Sequence, residues 1–138
     1  MKRVVLIACG KQKQPRRAAA KDLYVGTLFK LSLRFAKSLN PSMIFILSAK
    51  HGLLDLEREI EPYDTTLNNM SIAETKAWSA GVVAQIRAHA DLHQDHFIFL
   101  AGDRYRRFII PHVRSFEIPL RGLRIGEQLQ FLKGQVST

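Results

Sequence analysis

Three short, unbroken apolar runs, at residues 4–8, 43–47 and 97–101, alternate with stretches whose apolar residues recur at helical spacing. A continuous run of that length fits a strand buried on both faces, and such strands belong to parallel sheets covered by helices. Between the first two runs, Leu28, Leu31, Phe35 and Leu39 trace one helical face after Asp22, and Asn40 with Pro41 stops it. Between the second and third, Ser71 and Glu74 form a capping box that opens a helix carrying Ile72, Trp78, Val82, Val83 and Ile86, ending near His89 or Ala90. The alternation predicts right-handed crossovers and an α/β three-layer sandwich with a mostly parallel central sheet of about four strands. The fourth strand, residues 116–120, is placed at an edge because Pro119 is tolerated there. A short helix with Tyr105, Phe108 and Ile109 on its face closes at Pro111, and a last one spans 126–133 with Gly134 as its cap. The stretch 52–70, with Pro62, Asp64, Asn68 and Asn69, reads as one long loop, and long ordered loops are often functional.

A chain of 138 residues is expected to fold as a single domain over residues 1–138, with a real core and no room for a second. Residues 4–8 are too short for a membrane span, and neither signal peptide nor anchor is read there. Cys9 is the only cysteine, so no internal disulfide forms, and a reducing cytoplasmic setting is expected.

Charge narrows the partner. Lys and Arg number 21 against 12 Asp and Glu, a net +9, which favours a polyanion. The charge is segregated: residues 2–37 carry many cations opposed only by Asp22, and a second basic group runs from Arg104 to Arg124. Acidic residues collect between them, in Asp55, Glu57, Glu59, Glu61 and Asp64. A solvated basic surface serving solubility alone is the plainer alternative.

In parallel sheets, ligands bind outside the carboxyl ends of the strands, near a switch in strand order. Residues 9–13, 48–52 and 102–105 therefore carry the candidate site. Gly10 permits close backbone approach, and Lys11 and Lys13 present compact positive charge to a phosphate. The spacing of a Walker loop is absent, as is the three-glycine dinucleotide fingerprint, so no ATP or NAD cofactor is expected. Cys9 reads as a small core residue before it reads as a nucleophile. Lys50 and His51 follow the second strand; the imidazole can donate to a leaving group or simply cap its loop. Tyr63 beside Asp64 suits base stacking next to water activation, or a solvated turn. Asp103 follows the third strand, with Arg104 and Tyr105 behind it; Asp103 fits a catalytic carboxylate and also a helix N-cap. Arg121 and Arg124 flank the start of the last helix as a phosphate clamp, and Leu123 between them is either a wedge for a base stack or a core leucine. His89, His93 and His96 with Asp91 and Asp95 cluster in sequence, but away from the carboxyl edge, and no metal is assigned to them.

Several segments occur together in one order: Ala-Cys-Gly-Lys-Gln-Lys at 8–13, Leu-Tyr-Val-Gly-Thr-Leu-Phe at 23–29 and Leu-Ser-Ala-Lys-His-Gly-Leu at 47–53. Glu-Pro-Tyr-Asp at 61–64, Ala-Gly-Asp-Arg-Tyr at 101–105 and Pro-Leu-Arg-Gly-Leu-Arg-Ile-Gly-Glu-Gln at 119–128 follow. In these the chain resembles a small uncharacterised bacterial and archaeal domain family whose fold is similar to that of uracil-DNA glycosylases. The resemblance implies that fold. It also implies an activity like that of a phage-defence relative, which removes glucosylated hydroxymethylcytosine from DNA. The Gly-Gln-Asp-Pro-Tyr and His-Pro-Ser-Pro-Leu motifs of the uracil enzymes do not occur here, so residue roles rest on chemistry and expected position.

The leading expectation is a DNA glycosylase that flips a modified base and hydrolyses its N-glycosidic bond, leaving an abasic site. Asp64 or Asp103 would stabilise the developing sugar cation and orient water, with His51 on the departing base. A lyase route through Lys50 stays open. So do an N-glycosyl hydrolase or transferase acting on free nucleotides, and a DNA-binding module without catalysis.

Overall fold

The computed structural model describes residues 1–136. Its strands are β1 (Arg3–Ala8), β2 (Ala18–Ala19), β3 (Met43–Ser48), β4 (Gly52–Asp55), β5 (Glu59–Ile60), β6 (His96–Leu100) and β7 (Ser115–Glu117). Its α-helices are α1 (Ala20–Leu23), α2 (Thr27–Ser38), α3 (Ile72–Arg87), α4 (Asp103–Arg106) and α5 (Ile125–Val136). The fold is α/β, and the central sheet has five strands in the order β4-β3-β1-β6-β7. β1 pairs in parallel with β3 on one side and β6 on the other, and β7 extends β6 in parallel. β4 folds back antiparallel on β3 as the opposite edge.

The central position of β1 explains its unbroken apolar run. Val5 and Ile7 point into one cluster, with Ile46, Ile98, Phe35 and Leu132. Val4 and Leu6 point into another, with Phe45, Phe97, Val82 and Ile86. Alternate residues therefore feed opposite faces, with α2 and α5 covering one and α3 the other. Each fully buried Leu, Ile or Phe contributes about 1.5–3 kcal/mol relative to exposure. Helix α3 opens with both halves of its capping box: Ser71 Oγ accepts the Glu74 N–H at 3.1 Å, and Glu74 Oε1 accepts the Ser71 N–H at 2.9 Å.

Several expectations are corrected. The stretch 52–70 is not one loop: β4 forms a hairpin with β3, and β5 pairs with β2 in a small antiparallel ribbon. Leu53 and Leu54 are buried there, on opposite faces, which is why the chain returns to the sheet. The last edge strand starts at Ser115 and ends before Pro119. Pro111 lies inside a 3-10 turn, Ile110–His112, rather than closing a helix. Helix α5 passes through Gly134, because Leu132 and Phe131 pack it against α2, with Phe131 edge-on to Phe35 at 5.9 Å. Among the described residues no helix is long and apolar enough to cross a membrane.

Candidate functional site

The chain leaves β1 through α2 on one face and β3 through α3 on the other, so strand order switches at β1 and β6. A crevice opens where successive crossovers diverge. Here it holds two cavities, of about 520 Å³ and 230 Å³, that share Cys9, Gly10 and Lys11 as a common wall.

The larger cavity lies on the α2 and α5 side. Its walls are mostly apolar, with Leu28, Phe29, Leu100 and Leu129 among them. Polar groups reach it from Gln12, Ser32 and Gln128 and positive charge from Lys11 and Arg106, while no carboxylate of the described residues lines it. Helix α2 begins at this cavity with Gly26 as its N-cap, without a side-chain cap and without an acidic residue in its first turn. Arg106 donates to the Ala101 carbonyl at 2.6 Å, and burial lowers the pKa of its guanidinium.

The smaller cavity lies on the other side of the Cys9–Lys11 wall. Lys13, Asp64, Thr66, Asn68 and Tyr105 complete it. Asp64 is exposed, and its carboxylate takes part in no ion pair or hydrogen bond among the described residues. Lys13 Nζ donates to the Lys11 carbonyl at 3.3 Å and sits over the Tyr63 ring. Tyr105 approaches Cys9 Sγ through its hydroxyl at 3.4 Å and meets Trp78 edge-on at 5.6 Å. Burial raises its phenol well above the ordinary range, so the hydroxyl stays protonated.

Lys13 joins this cavity to a buried chain of hydroxyls, since the rings it covers belong to it. Tyr63 Oη is 2.5 Å from Tyr24 Oη and 2.7 Å from Ser48 Oγ, and Ser48 Oγ accepts the His51 N–H at 3.1 Å. Burial pushes Tyr24 up to about 12 and raises Tyr63 as well.

The fold thus brings Gly10, Lys11, Lys13, Asp64 and Tyr105 together from distant segments. Other candidates lie elsewhere. Tyr63 is 8% exposed and lines neither cavity, so it offers no open stacking face. His51 and Lys50 occupy the β3–β4 hairpin turn; the His51 ring stands edge-on to Tyr63 at 5.6 Å and lines neither cavity. Asp103 is not a helix N-cap: Gly102 holds that position, and the Asp103 carboxylate pairs with Arg107. Arg104 borders a separate small recess with Phe108 and Met70. Arg121 and Arg124 are exposed and Leu123 is half-buried; none of the three lines either cavity. Of the His-rich stretch, His96 bonds Ser115 and Glu117, and Asp95 accepts the Lys2 and Asp91 N–H groups, both at 2.7 Å.

Sequence reasoning missed Arg106. Its signal was position: four residues after Gly102, it returns by one helical turn to the strand end it came from. A model of a family of unknown function (DUF6884) matches residues 4–134. No curated protein matches the chain, and neither does any solved structure.

Proposed function

The chain belongs to that family of unknown function, and we propose that it is a DNA glycosylase that flips a modified nucleotide from DNA and hydrolyses its N-glycosidic bond. The observation that carries this reading is the carboxylate of Asp64, otherwise unengaged, lining one cavity with Lys11, Lys13 and Tyr105 at the switch in strand order. The net charge of +9 supports a polyanionic partner. The motif resemblance to the uracil-DNA glycosylase-like family supports a base substrate in DNA, with glucosylated hydroxymethylcytosine of phage DNA as its first instance.

The flipped nucleotide spans the wall at Gly10, which both cavities share. Asp64 orients a water towards C1′ and stabilises the positive charge that develops on the sugar. The C1′–N bond breaks with its electron pair leaving on the base. Water oxygen bonds to C1′, and its proton passes to Asp64 and then to solvent. Flipping costs a few kcal/mol, offset by phosphate contacts from Lys11 and Lys13.

The test is incubation with DNA carrying modified bases, with mass spectrometry for free base and alkaline strand scission for abasic sites. Release that disappears in Asp64→Asn supports the reading; no release from any modified DNA sinks it. A hydrolase or transferase of free nucleotides is the second reading, favoured by the larger cavity, whose volume falls within the about 300–1,000 Å³ typical of small-ligand sites. Turnover of mononucleosides in preference to duplex DNA selects it.

A further inference from the structure

Arg106 stands apart from Arg104, Arg121 and Arg124, which are exposed, by being half-buried at the wall of the larger cavity. Its neighbour Arg107 has a carboxylate partner in Asp103, whereas Arg106 has none within ion-pair distance among the described residues. One of its N–H groups is used by the Ala101 carbonyl. It is half-buried at the wall of a cavity whose remaining surface is largely apolar and, among the described residues, holds no acid. A guanidinium in that setting has lost part of its water without gaining an acid in direct contact, an arrangement that favours binding an anion. The lowered pKa has the same origin: burial disfavours the charge, Arg121 disfavours it further, and Asp103 compensates in part. Lys11 faces the same cavity from the opposite chain segment. A role confined to bonding Ala101 accounts for a single donor and leaves the rest of the guanidinium fork, with its five donors in all, directed at no acid.

We infer that the larger cavity is an oxyanion site, in which Arg106 is the counter-ion for a phosphate or carboxylate carried on a part-apolar, planar ligand. Arg fits this chemistry because its planar fork engages two oxygens of one anion at once. The apolar walls contributed by Leu28, Phe29 and Leu129 suit the remainder of such a ligand. The inference concerns the occupant of the cavity and holds whether or not a bond in DNA is broken.

The experiment is ligand titration of the full chain, followed by calorimetry and by amide chemical shifts of Gly10, Thr27 and Leu28. Two matched pairs are used, uridine against its 5′-monophosphate and uracil against its 6-carboxy derivative, with inorganic phosphate alone as a reference. The anionic member of at least one pair is expected to bind about tenfold or more tightly, the scale of one charge-assisted hydrogen bond. Arg106→Met should erase that preference, while Arg106→Lys, which keeps the charge without the fork, should retain part of it. A preference for the nucleotide identifies the phosphate as the natural group, and one confined to the carboxylated base identifies the base edge. Equal affinity within both pairs overturns the inference, as does a preference that survives Arg106→Met in a folded protein. Shifts confined to residues away from Gly10, Thr27 and Leu28 overturn it as well. Absence of base release from DNA, with the anion preference intact, removes only the catalytic reading.

Discussion

The ammonium of Lys13 lies 4.5 Å from the centroid of the Tyr63 ring and 5.8 Å from that of Tyr24. An exposed lysine normally samples many rotamers; here two ring faces and the Lys11 carbonyl hold one. Fixing the cation in advance lowers the entropy lost when it meets a phosphate. Lys13→Met should therefore weaken DNA binding and reduce the slope of log affinity against log salt by about one. Tyr63→Phe keeps the ring under the cation and should leave that slope unchanged. It removes the hydroxyl between Tyr24 and Ser48, so a loss of about 1–2 kcal/mol is expected in urea denaturation. A salt slope unaffected by Lys13→Met would remove this residue from the interface.

Asp64 and Asp103 were equivalent in the sequence and are not equivalent in the fold. Asp64 lines the smaller cavity without a partner among the described residues, whereas Asp103 is exposed and paired with Arg107, four residues on. Asp64→Asn should abolish base release with DNA affinity retained. Asp103→Asn should keep both, with stability altered by less than about 1 kcal/mol, as for surface pairs generally. Loss of release in Asp103→Asn with Asp64→Asn active would reverse the assignment.

How far the sequence reaches follows from which interactions are local. The β1, β3 and β6 runs and the α3 capping box were legible because period and cap are written within one segment. β4 was not legible as a strand, because Leu53 and Leu54 form too short an apolar stretch for periodicity and its pairing with β3 is tertiary. The same limit applies to the site. Gly10, Lys11 and Asp64 stand out by residue type beside an expected strand end or turn. That Tyr63 is spent on a buried hydroxyl chain, and that Arg106 rather than Arg107 lacks an acid, depends on which side of a short helix each residue faces.

His51 gives a pH dependence with a definite sign. Its pKa is lowered from the ordinary 6.5, first by burial and then by Arg58 and Lys50. The unfolded chain therefore binds its proton more readily than the folded one. Its contribution to stability is complete above about pH 6.5 and declines as pH falls towards the lowered folded value. His51→Gln should flatten the denaturation midpoint between pH 7 and 5 relative to the parent chain. An identical pH profile in both would show that the imidazole is not held neutral by the fold.

Asp95 has the opposite kind of group and a similar sign. Its two carboxylate oxygens accept the Lys2 and Asp91 N–H groups, tying the first strand to the turn before β6. Those bonds lower its pKa below the ordinary 3.8. The stability they supply is present above that value and is lost as pH falls through the folded pKa. Asp95→Asn keeps one acceptor and presents an amide to the other donor, so a loss of about 1–3 kcal/mol at neutral pH is expected, shrinking in acid. Equal losses at pH 7 and pH 3 would attribute the effect to packing alone.

Gly52 closes the hairpin that carries His51, at φ +72°, a conformation costly for residues with a Cβ. A Cβ there would also run into the side-chain amide of Gln85. That amide is itself engaged: Oε1 accepts the Leu53 N–H at 2.8 Å and Nε2 donates to the His51 carbonyl at 3.3 Å. Gly52→Ala therefore adds backbone strain and displaces two hydrogen bonds, for an expected loss of about 2–4 kcal/mol. Gln85→Ala alone gives up the bonds and removes the obstacle. The double variant should then lose less than the two single losses added, by about 1 kcal/mol, because the clash is counted once and the bonds are already gone. Strict additivity in chemical denaturation would mean that the strain of Gly52→Ala is in the backbone alone, with Gln85 free to move aside.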